Sequence, residues 1–323
     1  TLLHNKIHRL SYPIFFMILL TGAAGFIGSC MLSELLAHQY KEIVLIDDFS
    51  RPEKNLNWAS RSHLTRIDRR HFLLFLDQYK EAKAVIHLGA RTDTTETNAA
   101  IFDELNLHYS QAVWDFCTRH QIPLFYASSA ATYGAGEQGY DDSHDIVSHL
   151  KPLNLYGKSK NDFDFWALQQ PKTPPHWYGF KFFNVFGPNE YHKKRMASVV
   201  WHGYQQIQQK GTIQLFRSHR PDYEDGKQLR DFVYVKDVVQ IIRFFMENLP
   251  PSGLYNLGTG QTNTFLHLAE SVFAALELPP NIIFVDMPED LRNNYQYFTQ
   301  ANIAKLQNVA AYNATFYSLS TAI

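Results

Sequence analysis

Apolar residues along this chain gather into short runs separated by longer amphipathic stretches. The runs "MILLTG", "EIVLID" (42 to 47), "AVIHLGA" (84 to 90), "PLFYASS" (123 to 129) and "WYGFKFFNV" (177 to 185) have strand length and little polar alternation. Strands hydrophobic on both faces must be covered on both, which marks them as members of a parallel sheet. Between them, residues 26 to 39, about 101 to 119 and about 155 to 169 carry helical patterns. The alternation predicts an α/β fold, a doubly wound parallel sheet of the Rossmann kind. Past Gly187-Pro188 the rhythm gives way to Pro-, Tyr- and Asn-rich segments, and "RDFVYVKDVVQIIRFF" and "GLYNLGTG" then restore it. The expected division is a large domain from residues 17–185 with 228–258, and a smaller mixed domain from 186–227 with 259–323.

The run "PIFFMILL" follows Lys6, His8 and Arg9 and superficially resembles a signal peptide. It continues into a glycine loop without an A-x-A site, so it reads as the first strand. Met17 is taken as the natural start and residues 1–16 as an N-terminal extension. No other stretch approaches the ~20 apolar residues of a membrane span.

Composition narrows the classes further. The chain has 323 residues, 45% hydrophobic, with 30 Lys+Arg against 31 Asp+Glu. That balance lacks the basic footprint of a nucleic-acid binder. The two cysteines, Cys30 and Cys117, offer no disulfide framework and suit a reducing cytoplasm. The 15 histidines show no paired metal-ligand spacing such as H-E-x-x-H, so no metal site is expected.

Candidate chemistry begins in "TGAAGFIG", where Gly22, Gly25 and Gly28 form G-x-x-G-x-x-G between a strand and a helix. Glycines permit a tight turn and close approach to a pyrophosphate, while the helix N-terminus offers free N–H groups. Acidic Asp47 ends the following strand, about 20 residues on, where a ribose contact is expected. A carboxylate there favours NAD, but Arg51 and Lys54 follow it and can neutralise a 2′-phosphate. The residues alone leave NAD and NADP both open.

"SSAATYG" follows a strand and "LYGKSK" opens a helix. Tyr156 and Lys160 are one turn apart on one face, so the lysine and a nicotinamide's positive charge would favour tyrosinate. Ser129, at the preceding strand end, can hydrogen-bond the same substrate oxygen.

With these residues in place the chain resembles the extended short-chain dehydrogenase/reductase family. "TGAAGFIG", "HLGA", "SSAATYG", "YGKSK", "NVFGP" and "RDFVYVKDV" stand in that family's order over most of residues 17 to 260. "KPLNLYGKSK", "FFNVFGPNEYHKKRMASV" and "YQYFTQANIAKL" resemble its ADP-glyceromanno-heptose 6-epimerase branch. The resemblance implies inversion of C6 of an ADP-linked heptose, for lipopolysaccharide core synthesis, by transient oxidation with tightly bound NADP. It also implies a cytoplasmic homo-oligomer, a ring of five. Tyr156 and Lys193 would be acid/base groups on opposite faces of the sugar, supported by Ser129 and Lys160. Implied for the dinucleotide are Gly22, Gly25, Phe26, Ile27, Gly28, Asp47, Asp48, Lys54 and Arg69. To these the resemblance adds Leu88, Gly89, Ala90, Arg91, Asn106, Tyr156, Lys160 and Val185. Implied for the sugar nucleotide are Ser129, Asn184, Lys193, Arg195, Ser198, His202, Phe216, Arg217, Ser218, Arg230 and Tyr295.

The two-base scheme has a physical reason. The hydride store is fixed, so the ketone must turn over and a proton must be handled from a second direction. Lys193 would need a depressed pKa, expected from crowding by Lys194 and Arg195. Adjacent Lys194 is an alternative for that role. Arg230 has a second reading as an ion-pair partner of Asp231 or Asp237. Arg91 departs from the small residue usual at its place, and "RSHRPDYEDGKQLRDF" is longer than the usual segment, so a GDP- or UDP-linked sugar stays open. Rival functions are a 4,6-dehydratase or 4-epimerase on the same fold, and a non-enzymatic NADP sensor. No Asp-Glu pair follows the serines of "SSAATYG", which argues against a dehydratase.

Overall fold

The computed structural model describes residues 17–292 and 295–323. The expected extension, residues 1–16, lies outside the described residues.

Seven strands form one sheet: β1 (Ile18–Thr21), β2 (Ile43–Asp47), β3 (Arg66–Asp68), β4 (Ala84–His87), β5 (Leu124–Ser129), β6 (Trp177–Phe182) and β11 (Gly253–Leu257). Their spatial order is β11-β6-β5-β4-β1-β2-β3, and every pairing is parallel. Strand order reverses at β1, where Leu20 pairs with Leu45 on one side and Ile86 on the other. A ligand crevice opens outside the carboxyl ends of the strands at such a reversal.

The period-two geometry of the strands distributes the core into two layers. Ile18 and Leu20 point to one face, packing with Met31, Leu32 and Leu35 of α1 (Phe26–Ala37). Val238, Ile241, Ile242 and Phe245 of a later helix, Val235–Asn248, join that layer. Leu19 points to the other face, where Val113, Trp114 and Phe116 of the helix Tyr109–His120 and Phe163 of Leu155–Leu168 cover it. In chain order the remaining helices are α2 (Arg69–Leu74), α3 (Ala99–Phe102), α4 (Tyr109–His120), α5 (Leu155–Leu168), α6 (Val199–Lys210), α7 (Val235–Asn248) and α8 (Phe265–Ala275). Full burial of each large side chain contributes roughly 1.5–3 kcal/mol, so Trp114, 1% exposed, is a point where truncation would open the second layer.

A third apolar cluster joins α6 and α8 to the parallel pair β8 (Ile213–Phe216) and β13 (Ile282–Val285), through Ile207, Leu215, Leu268, Val272 and Phe273. Two other short pairs, β7 (Asn184–Phe186) with β10 (Phe232–Tyr234) and β9 (Leu229–Arg230) with β12 (Asn263–Thr264), lie between this cluster's segments and the main sheet in the chain. Ala301, Leu306, Ala310 and Tyr312 pack in the first layer instead, so this part of the C-terminal region covers the main sheet. Among the described residues no helix is long and apolar enough to cross a membrane.

Candidate active site

A cleft of about 1160 Å³ opens at the carboxyl ends of β1, β2, β4 and β5. Its floor is the glycine loop. Gly22 has φ +70 and approaches β4's exit so closely that a Cβ would lie 2.7 Å from the Gly89 nitrogen. At Gly28 a Cβ would lie 2.0 Å from the Gly22 carbonyl oxygen, so only glycine lets α1 close onto the loop. Extended Gly25 caps α1 without a side-chain hydrogen bond, leaving the first-turn N–H groups available to an anion. This cradle fits a dinucleotide pyrophosphate.

Asp47 ends β2, 6% exposed, and its Oδ2 accepts from the Ala24 backbone N–H at 2.9 Å. Its Oδ1 accepts from Lys54 Nζ at 2.8 Å. Lys54 therefore neutralises the carboxylate that would repel a 2′-phosphate. Asp48 is held down at about 2, first by the Ser50 hydrogen bond and also by Arg51. Asn57 ends the same turn and donates to the Ala24 carbonyl at 3.0 Å and the Asn189 carbonyl at 3.2 Å. It thereby ties the glycine loop to the segment that carries Lys193.

The proton-transfer side is built on α5. Asn154 caps the helix by accepting from the Gly157 N–H at 2.8 Å, which fixes the first turn and with it Tyr156. Ser129 ends β5 with its Oγ accepting from the Ala131 N–H at 3.1 Å, and it lies close enough to the Tyr156 hydroxyl to lower its pKa. Lys160 lies one turn on, buried, with its amine donating to the Ala127 carbonyl at 2.9 Å. Burial raises the Tyr156 pKa, opposed by Ser129, and lowers that of Lys160 to about 8. The expected depression of Tyr156 by Lys160 does not appear in the protein alone, where desolvation and the Asp164 charge both raise the phenol.

The second amine comes from the turn Tyr191–Met196. Lys193 lines the cleft with its ammonium 5.5 Å from the Phe26 ring centre. Its pKa is lowered by burial, partly opposed by Glu190. Crowding by Lys194 and Arg195 is not the cause: both line the cleft, but Lys194 is exposed and Arg195 is paired with both Asp93 oxygens at 2.8 and 3.0 Å. Glu190, 3% exposed, accepts from the Gly187 N–H and the Ser198 hydroxyl and so closes this loop on itself.

The other expected residues divide. Phe26, Ile27, Asp48, Arg69, Leu88, Gly89, Ala90, Arg91, Asn184, Val185 and Ser198 line the cleft. Asn106 does not; it is buried and holds Arg91 through the backbone N–H at 2.7 Å and carbonyl at 2.9 Å. Arg91 itself pairs with Asp93 and Glu96. His202 stands behind the loop, its Nε2 3.4 Å from the Arg195 carbonyl.

Phe216, Arg217, Ser218, Arg230 and Tyr295 lie outside the cleft wall. The Arg230 guanidinium sits 5.3 Å from the Tyr295 ring centre and 5.5 Å from that of Phe265. It donates to the carbonyls of Leu229 and Gln296. The ion pairs considered for it do not form, because Asp231 accepts from Thr259, Gly260 and Ala301 and Asp237 from Tyr317. Gln296 lines the cleft, so this aromatic cluster adjoins it. Arg217 reaches Asp225 and Asp286 at the surface, and Ser218 receives its own contact to Asp225 through its N–H.

Sequence reasoning missed His192, which lines the cleft 3.3 Å from Asn57 and is lowered to about 4 by burial, then by Lys54 and Lys193. Its position beside Lys193 was the available signal. Asp93 and Asn57 were also missed, since their roles come from contacts distant in sequence.

Comparison with known proteins agrees with this architecture. Residues 18–258 match the model of the NAD dependent epimerase/dehydratase family. A Fusobacterium nucleatum protein named ADP-L-glycero-D-manno-heptose-6-epimerase is 43% identical over 95% of this chain and 96% of its own length. A protein of the same name from Nitratidesulfovibrio vulgaris is 43% identical over 90% and 91%. The crystal structure of the Helicobacter pylori ADP-L-glycero-D-manno-heptose-6-epimerase superposes with a TM-score of 0.80 at 25% identity, covering 95% of this chain and 93% of that one. By fold, motif order and these similarities, the chain belongs to the NAD dependent epimerase/dehydratase family.

Proposed function

We propose that this protein inverts C6 of ADP-D-glycero-D-manno-heptose, giving the L-glycero epimer, with NADP as tightly held cofactor. The observation that carries the reading is one cleft lined by a helix-borne Tyr156 and a loop-borne Lys193, together with the glycine cradle. Names of relatives at 43% identity support the sugar. The Lys54–Asp47 pair supports NADP over NAD, because the ribose-site carboxylate already has its counter-cation.

The bound dinucleotide supplies a reversible store for one hydride. Ser129 orients the C6 hydroxyl and Tyr156 accepts its proton as the carbon is oxidised. Lys160, cationic beside the phenol, stabilises the tyrosinate that must precede this step. The 6-keto sugar then turns within the cleft. Lys193 donates the proton that the carbonyl oxygen needs when the opposite face is reduced, and its lowered pKa makes it a readier donor than an exposed lysine. Exchange with water returns both side chains to their starting protonation. Asn184, Ser198 and Arg195 would hold the sugar and diphosphate, with Arg230 and Tyr295 beside them toward the nucleobase. The assembly would be a homo-oligomer, five subunits by family resemblance, which light scattering would check.

The test offers the purified protein ADP-D-glycero-D-manno-heptose and, separately, UDP-galactose, and follows both by NMR. Conversion of the heptose with retention of all carbons is expected. Turnover of the galactose nucleotide alone, or of neither, would overturn the reading. Mass spectrometry of co-purified ligand should give the mass of NADP rather than NAD.

A further inference from the structure

Beneath Tyr156 lies a buried charge system that the proton-transfer scheme leaves unused. Asp164 is on α5, one turn past Lys160 and two past Tyr156, so all three share a face. It is 0% exposed, and its carboxylate accepts from Lys181 Nζ of β6 at 2.8 Å, Ser128 Oγ at 2.6 Å and Tyr126 OH at 3.1 Å. Lys181, 1% exposed, also donates to Thr132 Oγ1 at 2.9 Å and lies over the Tyr133 ring.

The contacts follow a register. Consecutive β5 residues Tyr126, Ala127 and Ser128 bond in turn to Asp164, Lys160 and Asp164, and Ser129 follows beside Tyr156. The helix is thereby clipped to the strand at every position that sets the Tyr156–Ser129 contact. A fully buried ion pair is a poor source of stability, since desolvation cancels much of the attraction. Its value here must be sought in placement and field.

We propose that the Asp164–Lys181 pair is a positioning element of the epimerase reaction: it fixes α5 on β5 and supplies the negative charge that balances Lys160. The inference rests on the reading of Tyr156 as the proton-transfer group. Lys160 is faced by Asp164 from its own helix α5, with Tyr156 one turn before it, by His87 from β4 and by the Ala127 carbonyl from β5. Lys181 of β6 acts through Asp164, and the turn Asp103–His108 adds exposed Glu104 on the cleft wall. Asp164 is the buried anion among these groups, and it opposes the desolvation that drives the Lys160 amine toward neutrality.

Three variants test this in the full chain: Asp164→Asn, Lys181→Met, and the double Asp164→Leu/Lys181→Met, in which neither partner of the ion pair is left without the other. Thermal unfolding and NADP binding establish which variants fold. Lys160 is then titrated by NMR without substrate, and the pH profile of kcat is recorded with the heptose nucleotide. The proposal expects the Lys160 midpoint to fall by about one unit in Asp164→Asn and in the double variant. It also expects the alkaline limb of kcat to move down in pH with the Lys160 midpoint, with kcat about fivefold lower at pH 8 and KM little changed. A folded double variant with wild-type Lys160 titration and kcat profile overturns it, even if Asp164→Asn fails to fold. Absence of turnover in the wild-type protein would instead count against the proposed function, and the Lys160 titration would still decide the positioning claim.

Discussion

The ammonium of Lys193 stands 5.5 Å from the centre of the Phe26 ring, so the amine of the Tyr191–Met196 turn and the first residue of α1 share one wall of the cleft. Phe26 presents its π face where the glycine loop becomes helix, which supports a cation with little water around it. Burial in this position lowers the lysine's pKa. A lowered pKa is what the proposed proton-donating role of Lys193 requires. Tyr156→Phe and Lys193→Met should each reduce turnover by ~10²-fold or more. Steady-state kinetics on the heptose nucleotide will check this, and near-normal rates for both variants would remove the two-base scheme.

Lys54 supplies the second prediction. Its contact with Asp47 at 2.8 Å is partly buried, so a carboxylate in its place would face Asp47 without a counter-charge. Lys54→Glu should weaken NADP binding at least tenfold relative to NAD, about 1.4 kcal/mol in the difference. Fluorescence titration with both dinucleotides gives the ratio. An unchanged ratio would mean that Arg51 or Arg69 carries the discrimination.

How much of this was legible follows from which residues act locally. The glycine loop, Tyr156, Lys160 and Ser129 stand on recurrent strand and helix ends, and their spacing alone brings them to one cleft. Lys193 could be named from motif resemblance, but not the cause of its altered acidity. That cause is burial, and neither neighbouring cation contributes: Lys194 is exposed and Arg195 is paired with Asp93. Asn106 was assigned to the cofactor by resemblance, and in the structure its amide holds the Arg91 backbone. Pairings such as Asn57 with Asn189 and Asp93 with Arg195 join segments over a hundred residues apart, and no periodicity encodes them.

The turn bearing Lys193 also contains a strained residue. Lys194 has φ 51 and ψ −127, outside the regions open to a residue with a Cβ. Such a conformation costs of order 1–3 kcal/mol unless glycine occupies it. Lys194→Gly should therefore raise the unfolding temperature by a few degrees and keep turnover within threefold of wild type. The same variant separates the two lysines: a loss comparable to Lys193→Met would transfer the second proton-transfer role to Lys194.

Asp237 gives the chain a pH-dependent weakness away from the cleft. It lies in the first turn of α7, where burial raises its carboxyl to about 6 despite the Tyr317 N–H that it accepts. The folded protein holds this proton more tightly than the unfolded chain, whose carboxyl titrates near 4. The contribution to stability is therefore fully present below about pH 4 and is lost as pH rises through about 6. Asp237→Asn keeps an acceptor for Tyr317 and removes the buried charge. It should unfold at a higher temperature than wild type at pH 8, with the gap closing as the buffer is taken toward pH 4. Differential scanning calorimetry at the two pH values decides the matter, because a gap of equal size at both would assign the effect to packing and leave the Asp237 titration without a role.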